Sequence, residues 1–441
     1  MRLFIGAIPF FDAEMAVHAY RLMTQDGDKL LGSAEDHRML GGELLAPELE
    51  FVRKVGTEPF AGDNDFFVAI GKFQLLIGMP ISMGIPPERL VCVIDKETLS
   101  DNAAYAKLGI LKRKGYRLAV DGYPRNISME TAVKIFDFVL LSCLDDDFNT
   151  DLKDIRPFIF KTRLVITDVP NMDAFNKYSG ARGVLLSGDF YSQPITKGVT
   201  DISPLKINAL NLLGQINDEA FDLGEAAVII ERDPALSISL LRFINAMKSD
   251  RSRKIDSIRN AVAILGQKEV KKWASIAISL GMGEDRPSEI TRLSLIRAKF
   301  AENLAPAFEM AIKSGALFIS GLFSLLDVIL QMPLSKAIDE VAASGEIRDA
   351  LLDKKGPLSE VLRLIFAYEH ADWHNSSLIM VRNNIDIEVL TQAFMDSLNW
   401  YRQLLDAIAD EPEGSLEPEG SLEPDGSLEL DGAAGEPAGD I

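Results

Sequence analysis

Chemistry needs particular side chains at particular spacings, and this chain offers few. There are four histidines, His18, His37, His370 and His374. The last two form an H-x-x-x-H pair in EHADWHNSS, which on one helix would share a face. In the zinc-protease pattern a glutamate lies between the two histidines; here Glu369 precedes the first. Two polar residues at a helix end or loop is the plainer reading. No His-Asp dipeptide, phosphate-binding P-loop or G-x-S-x-G elbow occurs. Carboxylates at strand ends are the remaining option. Asp95 ends VCVID, Asp121 ends LAVD and Asp168 ends LVITD. Three such acids at one barrel mouth could hold a cation and activate water. Acids at strand ends equally serve as helix caps and turn formers. Cys92 and Cys143 sit in apolar runs (LVCVI, VLLSCL) and read as buried reduced thiols.

The elements that would position these residues fall into two patterns. Up to about residue 203, apolar runs such as LFIGAIPFF, FFVAIGK, ERLVCVIDK, YRLAVDGY, FDFVLLSCL and RLVITDV alternate with helix-compatible stretches such as SDNAAYAKLGILKRKG and NMDAFNKYSG. This predicts a parallel sheet covered on both faces, as a TIM-like barrel or a doubly wound sheet. From Ser203 the apolar spacing becomes helical, as in PALSISLLRFINAMK and SIRNAVAILG. Asp233-Pro234 reads as a helix start. Ala316 to Met332 is strongly apolar but carries Ser320, Ser324, Asp327 and Gln331. It predicts a buried core helix rather than a membrane span, with a subunit or domain interface as the alternative. The expected organisation is an α/β domain over 1–203, an all-α domain over 204–405 and a tail over 406–441.

Across 441 residues the net charge is −20, with 47% hydrophobic and 25% charged residues, which is ordinary globular usage. That balance makes nucleic acid an unexpected main partner and disfavours anionic lipid. Eleven acids and no Lys or Arg lie between Asp410 and Ile441, so the rest of the chain stands at −9. The tail repeats GSLEP with an added acid at Gly414, Gly420 and Gly426, and cannot bury enough surface to order itself. Against this acidity stands a basic stretch, KSDRSRK. Its Lys248, Arg251, Arg253 and Lys254 form a candidate docking loop, or simply a solvated one. The N-terminus is too short in apolar residues and too acidic for a signal peptide, so a cytoplasmic protein is expected.

The strand ends also carry a resemblance. FIGAIPFFDAEMAVHAYRLM, KGYRLAVDGY and GDFYSQPI are similar to the opening, a middle strand and the closing segment of EAL domains, the cyclic di-GMP phosphodiesterase fold. RDPALSISLLRFINAMK and SIRNAVAILGQKEVKKW resemble helices of the HDOD domain, a relative of HD hydrolases. ISGLFSLLDVILQMPLSKAIDEV and GPLSEVLRLIFAYEHADW resemble the C-terminal region of proteins that join the two. The resemblance covers about residues 2–405. It implies a TIM-barrel-like EAL domain followed by an all-helical HDOD domain.

The same resemblance implies lost chemistry. EAL hydrolysis uses carboxylates to hold divalent cations, with a lysine nearby. The signature glutamate falls at Ala19 or Tyr20. The asparagine of the next strand falls at Ile70 or Gly71, and the next glutamate near Val93, with a slip to Asp95 as the alternative. Asp121 is retained, but its partner acid is Gly122. The lysine and aspartate of the following strand fall at Leu140 and Ser142, and the next acidic pair at Thr167 and Pro170. Ser187-Gly188 replaces the Gln-Gly pair. In the helical half no histidine occurs between Ser203 and Tyr368, so the HD metal ligands are missing.

The expectation is therefore a non-catalytic signalling protein with no cofactor and no metal, acting through protein partners. A cyclic di-GMP-binding sensor, or a weak cyclic di-GMP phosphodiesterase, is the alternative. Arg125, Asn126, Arg163 and Arg182 are the loop candidates for such a ligand. A second copy of the chain is a further candidate partner, and no membrane is expected.

Overall fold

The computed structural model describes residues 3–26, 47–181, 183–194, 222–231, 236–237, 240–241, 243–244, 255, 257–282, 288–341 and 343–409. Asp233-Pro234, Arg182, the basic stretch Lys248–Lys254, the boundary near Ser203 and the acidic tail lie outside the described residues.

Eight strands close into a barrel in sequence order: β1 (Leu3–Phe11), β2 (Val17–Asp26), β3 (Asp65–Ala69), β4 (Leu90–Asp95), β5 (Arg117–Asp121), β6 (Phe138–Ser142), β7 (Arg163–Thr167) and β8 (Leu185–Leu186). Closure decides against the doubly wound sheet. The helices α1 (Pro47–Val55), α2 (Glu58–Ala61), α3 (Lys72–Leu76), α4 (Asn102–Arg113), α5 (Met129–Ile135), α6 (Phe148–Ile155) and α7 (Met172–Ser179) lie between the strands. Three of these helices, α4, α5 and α7, start on a side-chain cap of the preferred residue types. Asp101 accepts from Ala103 and Ala104 N–H, Ser128 from Thr131 N–H, and Asn171 from Ala174 N–H.

The sheet is not wholly parallel, as the apolar runs predicted. β1 runs antiparallel to both neighbours, β2 and β8. The cause is the short link Asp12–Ala16. The Asp12 carboxylate accepts from the N–H groups of Glu14 and Ala16, and Met15 takes φ 62°. So tight a turn can join only antiparallel strands. Only Ala19–Arg21 of β2 pair with β3, and Phe11 of β1 with β8. Leu3–Ala7 and Leu22–Asp26 therefore pair with each other alone, as a two-stranded ribbon. Because β2 is parallel to β3, the ribbon extends toward the C-terminal ends of the parallel strands, the barrel mouth.

The barrel interior is packed. Phe10, Ala19, Phe67, Val91, Val93, Ala119, Phe138, Leu140, Val165 and Leu185 form one buried cluster. Phe67 meets Phe10 and Phe138 edge-on, each at 4.9 Å between centroids. Gly188 follows β8 with φ 151°, and a Cβ there would lie 2.2 Å from the Val169 carbonyl oxygen, so no larger residue fits. Cys92 is buried and its thiol is pushed up to about 12 by burial. Cys143 departs from the buried-thiol reading. It is half-buried at the end of β6, and its Sγ–H donates to the Asp168 carbonyl at 3.1 Å.

After β8 the described residues contain no strand. They form α8 (Leu223–Glu231), α9 (Ile258–Met282), α10 (Ser288–Leu304), α11 (Ser314–Phe323), α12 (Leu326–Leu330), α13 (Leu334–Glu340), α14 (Gly345–Arg348), a π-turn (Asp349–Asp353), α15 (Pro357–Glu369), α16 (Trp373–Arg382) and α17 (Ile387–Ala409). Helix α9 is broken at Gly266, whose φ is 74°. The apolar stretch from Ala316 is buried as predicted, but as two helices. Ser324 donates its hydroxyl to Gly321 O and competes with the helix ladder there. Gly321 lets α11 press on α10: a Cβ would come within 2.6 Å of the Ala298 Cα.

The helical half covers the ribbon. Phe4 stacks on Trp373 at 5.1 Å, and Ile5 N–H donates to the Tyr368 hydroxyl. Tyr20 donates its hydroxyl to Glu289 at 2.6 Å, and Arg292 binds the same carboxylate at 2.7 Å while lying over the Tyr20 ring. Glu289 is 3% exposed, and it occupies the first turn of α10, where the helix dipole favours an anion.

Two outcomes follow for stability. Glu289→Ala strands the Arg292 charge in the interface and should cost about 3–5 kcal/mol in urea unfolding; a loss under about 1 kcal/mol would contradict this. The second concerns Glu302, between Lys272 and Lys299. Burial pushes its carboxyl up, but the hydrogen bonds and charges of Lys272 and then Lys299 outweigh this and hold it below 4.5. A lowered folded pKa means stabilisation present above 4.5 and lost as pH falls through the folded value. The stability gap between the parent and Glu302→Gln should therefore be widest near neutral pH and close under acid, as read by thermal unfolding at stepped pH.

Candidate functional site

Strand alternation fixes which residues reach the barrel mouth. Ala19, Phe67, Val93, Ala119, Leu140 and Val165 all belong to the buried interior cluster. Two residues further along each strand, the next inward layer holds Arg21, Ala69, Asp95, Asp121, Ser142 and Thr167.

The register places Asp95 directly beside Asp121. These two of the three strand-end acids are brought together. Each is already engaged. Asp95 accepts from Glu97 N–H and caps the short 3-10 turn after β4. Asp121 is ion-paired with Arg21, Nη2 to Oδ2 at 2.7 Å. Asp168 is not in this layer. It lies past the end of β7 at φ 59° and accepts from the Thr167 hydroxyl.

Arg21 corrects the sequence reading of β2. Ala19 lies in the interior cluster, and Tyr20 points the other way, to Glu289. The mouth position on this strand is the next inward residue, an arginine. Val93 is interior, so the mouth position on β4 is Asp95. Leu140 is interior and opposite Asp121 in the register, and Ser142 lies opposite Thr167. Ile70 is buried, while Gly71 donates its N–H to Gln74. Beside Asp121, Gly122 makes room for Lys96: a Cβ there would stand 2.7 Å from the Lys96 Cδ. This donor set does not fit a divalent cation. An arginine occupies the space beside Asp121, and no group of three or more His, Cys, Asp or Glu among the described residues is placed to share a metal.

The loop candidates separate. Arg125 is held by Asp147 at 3.0 Å and Asp151 at 2.7 Å, and Asn126 donates to the Ser100 hydroxyl. Arg163 starts β7, at the end of the barrel away from the mouth. His370 and His374 do not share a helix. His370 caps the end of α15 with Nδ1 2.7 Å from Phe366 O, and His374 lies in the first turn of α16.

The interface cluster escaped the sequence reading. Burial first, then the Glu289 charge and hydrogen bond, push the Tyr20 hydroxyl well above the usual phenol range against the Arg292 charge; Tyr191 rises by burial first and then the charges of Glu289 and Glu369. Nothing local in VHAYRLM marks Tyr20 as buried, because its partner lies 269 residues away.

Residues 202–373 match the HDOD domain family. Two relatives align almost end to end. The Bacillus subtilis protein YuxH, itself uncharacterised, is 27% identical over 92% of this chain and 100% of its own length. A Vibrio cholerae protein named cyclic di-GMP phosphodiesterase CdgJ is 23% identical over 91% of this chain and 93% of its own. Among solved structures, a Klebsiella pneumoniae BlrP1 complex with manganese and cyclic di-GMP overlaps 43% of this chain and 55% of that one, at 13% identity and a TM-score of 0.34. That overlap is too slight to add to the geometry. No helix among the described residues is long and apolar enough to cross a membrane. An eight-stranded closed barrel followed by helices that match the HDOD family over residues 202–373 is the domain order that the sequence resemblance implied.

Proposed function

We propose that the protein is a non-catalytic, cytoplasmic regulator that acts through protein partners. The observation that carries this reading is the Arg21–Asp121 ion pair. A phosphodiesterase of this fold needs acids at the mouth to hold cations and ready a water. Here a guanidinium occupies that layer and neutralises the retained acid. Asp95 is committed to a cap, and the neighbouring strands contribute a methyl and two hydroxyls. The helical half, with no histidine from Ser203 to Tyr368, offers no replacement. A large two-domain body with no metal set among the described residues is suited to presenting surfaces, and charge and apolar area would choose the partner.

A second reading rests on Lys96. It lies across Gly122 at the mouth, and such a cation would suit a phosphate. Under it the barrel binds cyclic di-GMP without cleaving it, a ligand suggested by the name of the Vibrio relative.

The purified full-length chain, given cyclic di-GMP with magnesium or manganese at high enzyme concentration, should show no turnover above the enzyme-free rate; metal-dependent hydrolysis would overturn the main reading. Calorimetry with the same dinucleotide separates the second reading, which a flat titration removes. Because Arg21 and Asp121 are partly solvated, with side chains 21% and 42% exposed, Asp121→Asn should cost less than about 1 kcal/mol in urea unfolding. A larger loss would show the pair holding the barrel together instead of merely occupying its mouth.

A further inference from the structure

Where the segment after β8 meets the helical half, there is a cavity of about 550 Å³. Pockets for small molecules commonly measure roughly 300–1,000 Å³ and combine apolar walls with a few placed polar groups. This one has that composition. Leu334, Leu351, Leu352, Leu362 and Phe366 supply apolar wall, and Asp189–Pro194 close the barrel side.

Its charged lining holds three cations, Arg297, Lys354 and Arg363, and two acids, Asp189 and Asp327. Arg297, with a side chain 6% exposed, lines the cavity from α10. It donates Nε and Nη2 to Glu369 and Nη1 to the Ser324 hydroxyl. That commits three of its five N–H groups among the described residues. Lys354 stands at the rim, in a left-handed turn at φ 55° that ends the π-turn. The other lining cations have counter-ions: Arg297 has Glu369 and Arg363 has Glu360, while the His370 ring lies 3.8 Å from Asp189. Lys354 has none among the described residues. A smaller void of about 70 Å³ shares Arg297 and His370 with the cavity and reaches Glu289 and Arg292. The pocket thus lies next to the interface that joins the two halves.

We infer that this cavity binds a small organic anion with an apolar body. The chain packs against the leucines and Phe366, and the anionic head meets Lys354 and the uncommitted N–H groups of Arg297. A neutral molecule of the same shape would gain nothing from Lys354, and a bare inorganic anion would leave the apolar wall wet. A bound ligand would touch the barrel and the helical half at once, and would stabilise their present arrangement.

The probe is 8-anilinonaphthalene-1-sulfonate, an aromatic sulfonate, titrated by fluorescence into the full-length protein. One saturable site is expected, displaced by decanoate but not by decanol or inorganic phosphate at equal concentration. Leu352→Trp, which fills the cavity, should abolish the site. Lys354→Glu should weaken binding at least tenfold with an unchanged unfolding midpoint. Lys354 lies on an exposed turn, so this variant keeps the test decisive if Leu352→Trp fails to fold. Binding unaltered in Lys354→Glu, displacement by decanol as effective as by decanoate, or no saturable site in the parent would each overturn the inference.

Discussion

A two-stranded β-ribbon cannot hold itself together in water, and the rest of this molecule is arranged around that constraint. β1 and β2 pair with the barrel over only a few residues and then run on as a ribbon toward its mouth. The helical half supplies the missing cover. Phe4, Tyr368 and Trp373 bury the aromatic part, and Glu289 between Tyr20 and Arg292 supplies the polar part. A buried carboxylate is tolerable only because a hydroxyl and a guanidinium answer it at hydrogen-bond distance. The halves are therefore joined by contacts with high penalties for partial loss.

The same strand serves both places at once. Tyr20 faces the helical half, and Arg21, the next residue, reaches the mouth. Alternation along a strand places adjacent residues in opposite environments, so a shift of β2 by one residue would exchange them. The register with β3 and the turn at Asp12 together prevent that. The mouth's electrostatic character is thus linked to the docking of the second domain by one stretch of backbone.

Much of this could be read from residue order. The strand–helix alternation and the change to helical spacing are local features, and local features survive without knowledge of partners. The strand-end acids were found for the same reason, since each closes an apolar run. β2 was missed as a strand because His18, Arg21, Thr24 and Gln25 interrupt its apolar character. β8 was missed because two residues make no pattern. Asp168 was grouped with Asp95 and Asp121 because sequence shows a strand's end but not which way the last residue turns.

The amino-acid sequence by itself determined the inventory: four histidines, an α/β half, an α half, and three acids at the ends of apolar runs. Counting settles such matters because a missing side chain cannot be restored by folding. Tertiary structure decided pairing and direction. It made Arg21 the partner of Asp121 across 100 positions and Tyr20 the partner of Glu289 across 269, reversed β1, and opened a cavity between segments far apart in the chain. Those facts depend on register and on the packing of distant elements, and neither is encoded in any one stretch of residues.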